Sequence, residues 1–118
     1  MNMRFESRSM IGILKVDEHR IDASVAIAFK DRFRDLVSGS SGDVILDLAR
    51  VDFIDSSGLG AIVAARKLLG GDRKLELAGL TPAVDKVMTL TRMHKVFPIH
   101  ADAEAAAAAR IDPARAST

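Results

Sequence analysis

The stretch from Val44 to Leu69 constrains this chain more than any other. Val44-Ile45-Leu46-Asp47-Leu48 is a dense apolar run, the pattern of a strand covered on both faces and set at the centre of a sheet. After Val51-Asp52-Phe53-Ile54 the chain turns at Asp55-Ser56-Ser57-Gly58, and Leu59, Ile62, Val63 and Leu69 then recur at helical spacing as far as Gly70-Gly71. A strand that runs directly into a helix predicts an α/β layer architecture.

The flanking segments extend that pattern. Met3, Phe5, Ile11, Ile13, Leu14 and Val16 sit at near period-two spacing around Gly12, which predicts two early strands arranged as a hairpin. Asp17-Glu18-His19-Arg20 reads as a turn, and Val25, Phe29, Phe33, Leu36 and Val37 form the inner stripe of a first helix that stops at Ser38-Gly39-Ser40-Ser41-Gly42. Lys74 to Ala78 alternates polar and apolar as a further strand; Thr81-Pro82 opens another helix, with Val84, Val87, Met88 and Thr91 on its inner face. Val96-Phe97-Pro98-Ile99 reads as a short edge strand, where proline is tolerated. The last element, Asp102 to Arg110, has five consecutive alanines, so it has high helix propensity but little bulk, and is expected on the outside. Residues 1–110 are thus expected to form one domain, with 111–118 a flexible tail. No internal repeat or heptad competes with this reading.

Composition narrows the function classes. A 118-residue chain with net charge +1 and dispersed Lys and Arg, five Phe and no Tyr or Trp lacks the basic stripe and stacking platforms of a nucleic-acid binder. The absence of cysteine removes disulfides, thiol nucleophiles and thiolate metal sites. The longest apolar run, Leu59 to Ala65 interrupted by Gly60, falls far short of the roughly 20 residues that span a bilayer. The charged, alternating start Met1 to Glu6 is unlike an export signal, so a cytoplasmic location is expected.

The candidate site is the turn Asp55-Ser56-Ser57-Gly58-Leu59-Gly60, at the carboxyl end of a strand and the start of a helix, where open α/β sheets place their sites. One reading is purely local: Ser and Asp oxygens accept from the unpaired amides of a helix's first turn. The other gives Ser56 a function, with Gly58 and Gly60 removing side chains that would screen the turn from a partner. A phosphate on Ser56 would add roughly −1.5 to −2 charges at the positive end of a helix dipole, where the fold tolerates it. Asp22 reads as a cap or turn residue before the first helix, with an accessory role near Ser56 as the sharper alternative. Enzymatic readings each meet a gap. A dinucleotide fingerprint needs glycine where Val63 stands; a nucleophile elbow needs glycine where Asp stands ahead of the serine; His19, His94 and His100 have no metal-ligand spacing. No catalytic residue, metal or cofactor is expected.

The segment from Val44 to Leu69, with Val-Ile-Leu-Asp-Leu and then Val-Asp-Phe-Ile-Asp-Ser-Ser-Gly-Leu-Gly, resembles the signature of the STAS domain family and, within it, of bacterial anti-sigma-factor antagonists. The likeness extends more weakly to Gly79-Leu80-Thr81-Pro82-Ala83-Val84 and Val96-Phe97-Pro98-Ile99. The resemblance implies a mixed four- to five-stranded sheet flanked by about four helices, and a switch protein rather than an enzyme. It implies phosphorylation at Ser56 by an anti-sigma factor that is itself a serine kinase. Unphosphorylated protein would bind that factor and release a sigma factor, and a metal-dependent serine phosphatase would restore the binding form. Asp22 corresponds to an acidic family position near the switch, although His19-Arg20-Ile21 stands where the family often has Gly-x-Leu. The alternative is a non-enzymatic subunit of a sensory or lipid-transport complex in which Ser56 only caps the helix.

Overall fold

A computed structural model of the protein describes residues 1–111. The dense apolar run becomes β4 (Asp43–Asp47), the middle strand of a five-stranded sheet ordered β1-β2-β4-β6-β7. Here β1 is Met3–Arg8, β2 Ile11–Val16, β6 Leu75–Ala78 and β7 Ile99–His100. The first two strands form the expected antiparallel hairpin, Met3 opposite Val16 and Arg8 opposite Ile11, while the other pairings are parallel. The sheet is therefore mixed, as the family resemblance implies.

Val44 and Leu46 point into the main core with Phe29, Phe33, Ile62, Leu77 and Met88, while Ile45 points to the opposite face. Phe29 and Phe33, stacked with ring centroids 6.1 Å apart, anchor α1 (Ala26–Val37) to the main face. Also on that face are α2 (Ser56–Leu69) and α3 (Pro82–Leu90). The helix starts are built as their residues dictate: Thr81 Oγ1 accepts from Val84 N at 3.5 Å and donates to Val51 O at 2.7 Å, with Pro82 in the first turn. Gly70 leaves α2 at φ 82°, a region that disfavours side chains.

Four expectations need correction. The polar segment read as a turn ends in β3 (Arg20–Ile21), which pairs in parallel with β5 (Phe53–Ile54) as a separate two-stranded ribbon; two residues are too few to show a period. Residues 75–78 alternate between two faces, but both are covered, and Glu76 is only 6% exposed, with its carboxylate 2.7 Å from His100 Nε2. Flanked by β4 and β7, this strand has no wet side.

The third concerns the alanine-rich helix, α4 (Ala103–Ile111), expected outside the core. Ala103, Ala106 and Ala107 are buried against Ile11, Ile13, Ile45 and Ala78 and cover the sheet's second face. Small side chains let helix and sheet approach closely, so low bulk is what fits here. Ala106→Ser, which places a hydroxyl in this layer, is expected to cost about 1–2 kcal/mol in urea denaturation; unchanged stability would contradict the burial. The edge strand near the C-terminus exists but begins at Ile99, after a 3-10 turn at Met93–Lys95. Of the expected tail, 111–118, Ile111 ends α4, and residues 112–118 lie outside the described residues.

Candidate functional site

Ile54 ends β5 and Asp55 takes an extended backbone, φ −107° and ψ −175°, as the residue ahead of α2. Both oxygens of its carboxylate are engaged: Oδ1 accepts from Gly58 N at 2.8 Å and Oδ2 accepts from Ala23 N at 3.1 Å. One side chain thus caps α2 and pins the loop before α1 to the same spot. Capping, divided in the sequence between Ser and Asp, falls to Asp55. Ser56 is the first residue of α2 and is exposed, and its hydroxyl makes no hydrogen bond to any other described residue. Asp55→Ala is expected to lower stability by about 2 kcal/mol, since it strands two backbone donors; a loss within a few tenths would overturn this assignment.

The two glycines have different tasks. Gly58 is buried, and a Cβ there would lie 1.9 Å from the Ile21 carbonyl oxygen and 3.0 Å from Ile54 Cγ1. It is therefore required by the packing of α2 on the β3–β5 ribbon and does not open the turn to a partner. Gly60 is exposed, with nothing within 4 Å of the point where a Cβ would stand, and it does leave the surface bare. Ser57 is exposed and Leu59 half-buried against the main core.

Asp22 lies in the loop before α1 and works as a turn residue, accepting from Ser24 N at 3.0 Å, Ser24 Oγ at 2.5 Å and Arg20 Nε at 3.2 Å. It does not cap α1, whose preceding residue is Val25. The Ser24 hydroxyl, with Arg20, holds the Asp22 carboxyl below its ordinary value. A lowered folded value means that its stabilising contribution is complete above about pH 4, the ordinary range of aspartate, and fades as pH falls through the folded value. Ser24→Ala is expected to move the Asp22 carboxyl upward in an NMR titration, and an unmoved carboxyl would refute this cause.

Arg20 and Phe53 belong to this surface as well, and the sequence offered no sign of either. The Arg20 guanidinium lies 4.0 Å from the centroid of the Phe53 ring, which is 39% exposed three residues before Ser56. Ile27, in the first turn of α1, is 71% exposed. The histidines are dispersed: His19 faces Asp52 at 3.7 Å and His100 faces Glu76. Among the described residues no group of three or more His, Asp or Glu side chains is placed to hold a metal, and no helix is long and apolar enough to cross a membrane.

The family model of the STAS domain matches residues 2–106 of the chain. The chain belongs to the STAS domain family. BtrV of Bordetella bronchiseptica, which bears the name of an anti-sigma factor antagonist, is 39% identical over 67 residues, covering 56% of this chain and 58% of that protein. This STAS domain also superposes on an anti-sigma-factor antagonist STAS protein from Planctomyces limnophilus with a TM-score of 0.84 at 19% identity, covering 93% of this chain and 98% of the other. An anti-sigma factor antagonist from Mycobacterium paratuberculosis gives a TM-score of 0.82 at 24% identity, with 94% of each chain covered. The last two likenesses establish the STAS fold, and the matched segment spans little more than half of BtrV.

Proposed function

We propose that this STAS protein is a non-enzymatic anti-sigma factor antagonist whose binding to an anti-sigma factor is switched by phosphorylation of Ser56. The observation that carries the reading is a serine hydroxyl exposed at the first position of α2, with the capping task already performed by Asp55. A hydroxyl needed for capping could not be modified without loss of the helix start; this one is free of that duty. The BtrV likeness supplies the class of partner.

Phosphate at this position meets the unpaired amides and positive dipole end of α2, so the added charge leaves the helix intact. Phe53, in the strand that leads into α2, and the bare surface at Gly60 offer apolar and close-approach contacts near it. A partner seated on them would meet the new charge directly. The partner is an anti-sigma factor with serine-kinase activity, and a metal-dependent serine phosphatase reverses the modification; a sigma factor is released when the unphosphorylated protein binds that partner.

Incubation with the cognate kinase and ATP is expected to add one phosphate to wild-type protein and none to Ser56→Ala, read by intact-protein mass spectrometry. Unmodified wild-type protein beside an active kinase would end the proposal. The competing idea that Ser56 is only a cap predicts that Ser56→Ala loses stability comparably to Asp55→Ala, whereas here the change is expected to stay within about 0.5 kcal/mol.

A further inference from the structure

We infer that the opposite end of α2 carries a second, independent binding site, for a small organic molecule bearing two or more phosphate groups. An open cavity of about 590 Å³ lies between the end of α2, the turn into β6 and the segment before β7. Arg66 and Lys67 from the last turn of the helix and Arg73 and Lys74 from the approach to β6 line it. Four cations around one concavity are conspicuous in a chain whose net charge is +1.

Their arrangement is not explained by the fold's own ion pairs. Arg66 and Lys67 form no salt bridge with another described residue and both are exposed. Arg73 differs: its guanidinium is held by Gly42 O at 2.7 Å, Val37 O at 3.3 Å and Ser40 Oγ at 2.8 Å. These acceptors are uncharged, so they orient the guanidinium without themselves removing its charge. The carboxylates beside this approach to β6 are Asp72, exposed in the turn between Gly71 and Arg73, and Asp43, which accepts from the backbone N–H of Lys74 at 2.8 Å.

The rest of the lining sets the ligand class. Leu75, Val96 and Pro98 form an apolar wall, Val96 being 37% exposed, and Gly70 and Gly71 leave the rim without side chains. Cations on one side and an apolar wall on the other match a molecule with a polyphosphate end and a ring or short carbon skeleton, and the volume falls within the range of small-molecule sites, about 300–1,000 Å³. A nucleic-acid strand would require a continuing basic track with stacking aromatics, absent from this lining. The length of α2 from Ser56 to Arg66 separates the two sites, about 15 Å at the helical rise, so the ligand would not occupy the Ser56 surface.

The inference does not depend on Ser56 being modified, and its test uses the unphosphorylated chain. Isothermal titration with inorganic tripolyphosphate and, separately, with adenosine diphosphate is expected to give saturable binding at one site. In the Arg66→Glu/Lys67→Glu double variant affinity should fall at least tenfold, while Lys86→Glu, an exposed charge reversal on α3, should leave it unchanged; thermal unfolding monitors the folding of both. Tighter binding of the adenosine compound than its charge alone gives would show use of the apolar wall, and tripolyphosphate preferred throughout would reassign the site to inorganic anions, overturning the organic ligand. Absence of saturation at millimolar concentration, equal loss in both variants, or retention in the double variant would each overturn the site.

Discussion

Gly58→Ala is expected to destabilise the protein by about 3 kcal/mol, at the upper end of overpacking effects, even though alanine is the better helix former. The new methyl would sit 1.9 Å from the carbonyl oxygen of Ile21 and 2.7 Å from its carbon. These are backbone atoms of β3, also tied to Asp55 N through Ile21 O at 3.4 Å, so they cannot rotate away. Either α2 lifts from the ribbon or the ribbon shifts, and the Asp55 bonds to Gly58 and Ala23 are strained in both cases. Gly60→Ala, two residues on, provides the internal control. Nothing lies within 4 Å of that position, so the helix propensity of alanine should add up to about 1 kcal/mol of stability. Urea denaturation of the pair reads out both signs; a neutral Gly58→Ala would mean that the close approach to Ile21 is not real. The same Gly60→Ala protein should bind its partner more weakly if that bare surface is where the partner rests.

Stoichiometric phosphorylation of Ser56 is expected to weaken binding to the anti-sigma factor about 100-fold, or nearly 3 kcal/mol at a tenfold per 1.4 kcal/mol, while leaving the melting temperature within a few degrees. The size follows from placing about two negative charges beside Asp55 and inside a docking surface that must be desolvated. The small thermal effect follows from the exposed position of the hydroxyl and the favourable helix dipole. Titration calorimetry on phosphorylated and unphosphorylated protein measures the first quantity and scanning calorimetry the second. Equal affinities would remove the switch, whereas a large drop in melting temperature would show that the modification acts by unfolding α2.

Much of this site can be recognised in the linear chain because its signals are local. Asp before Ser-Ser-Gly and an apolar helical period after it specify a helix start whatever the surroundings, and Thr81-Pro82 does the same for α3. The hidden parts are long-range. Ala23 N meets Asp55 across 32 positions, and Arg20 meets Phe53 only because β3 and β5 lie side by side. Neither pairing leaves a periodicity, since each strand has two residues. Gly58 and Gly60 look alike in one dimension, and only the neighbour over each Cα separates a glycine demanded by packing from one that leaves the surface open.

By itself the sequence determined the layer architecture, the central position of β4, the hairpin and the starts of α2 and α3, because apolar period and capping chemistry act over a few residues. Tertiary structure alone decided that Asp55 rather than Ser56 does the capping, that the alanines of α4 close the second face of the sheet, and that a cationic cavity forms at the far end of α2. Each of these depends on which atoms from distant segments come within a few ångströms, and burial and hydrogen bonding are set by that proximity rather than by the residue types in a window.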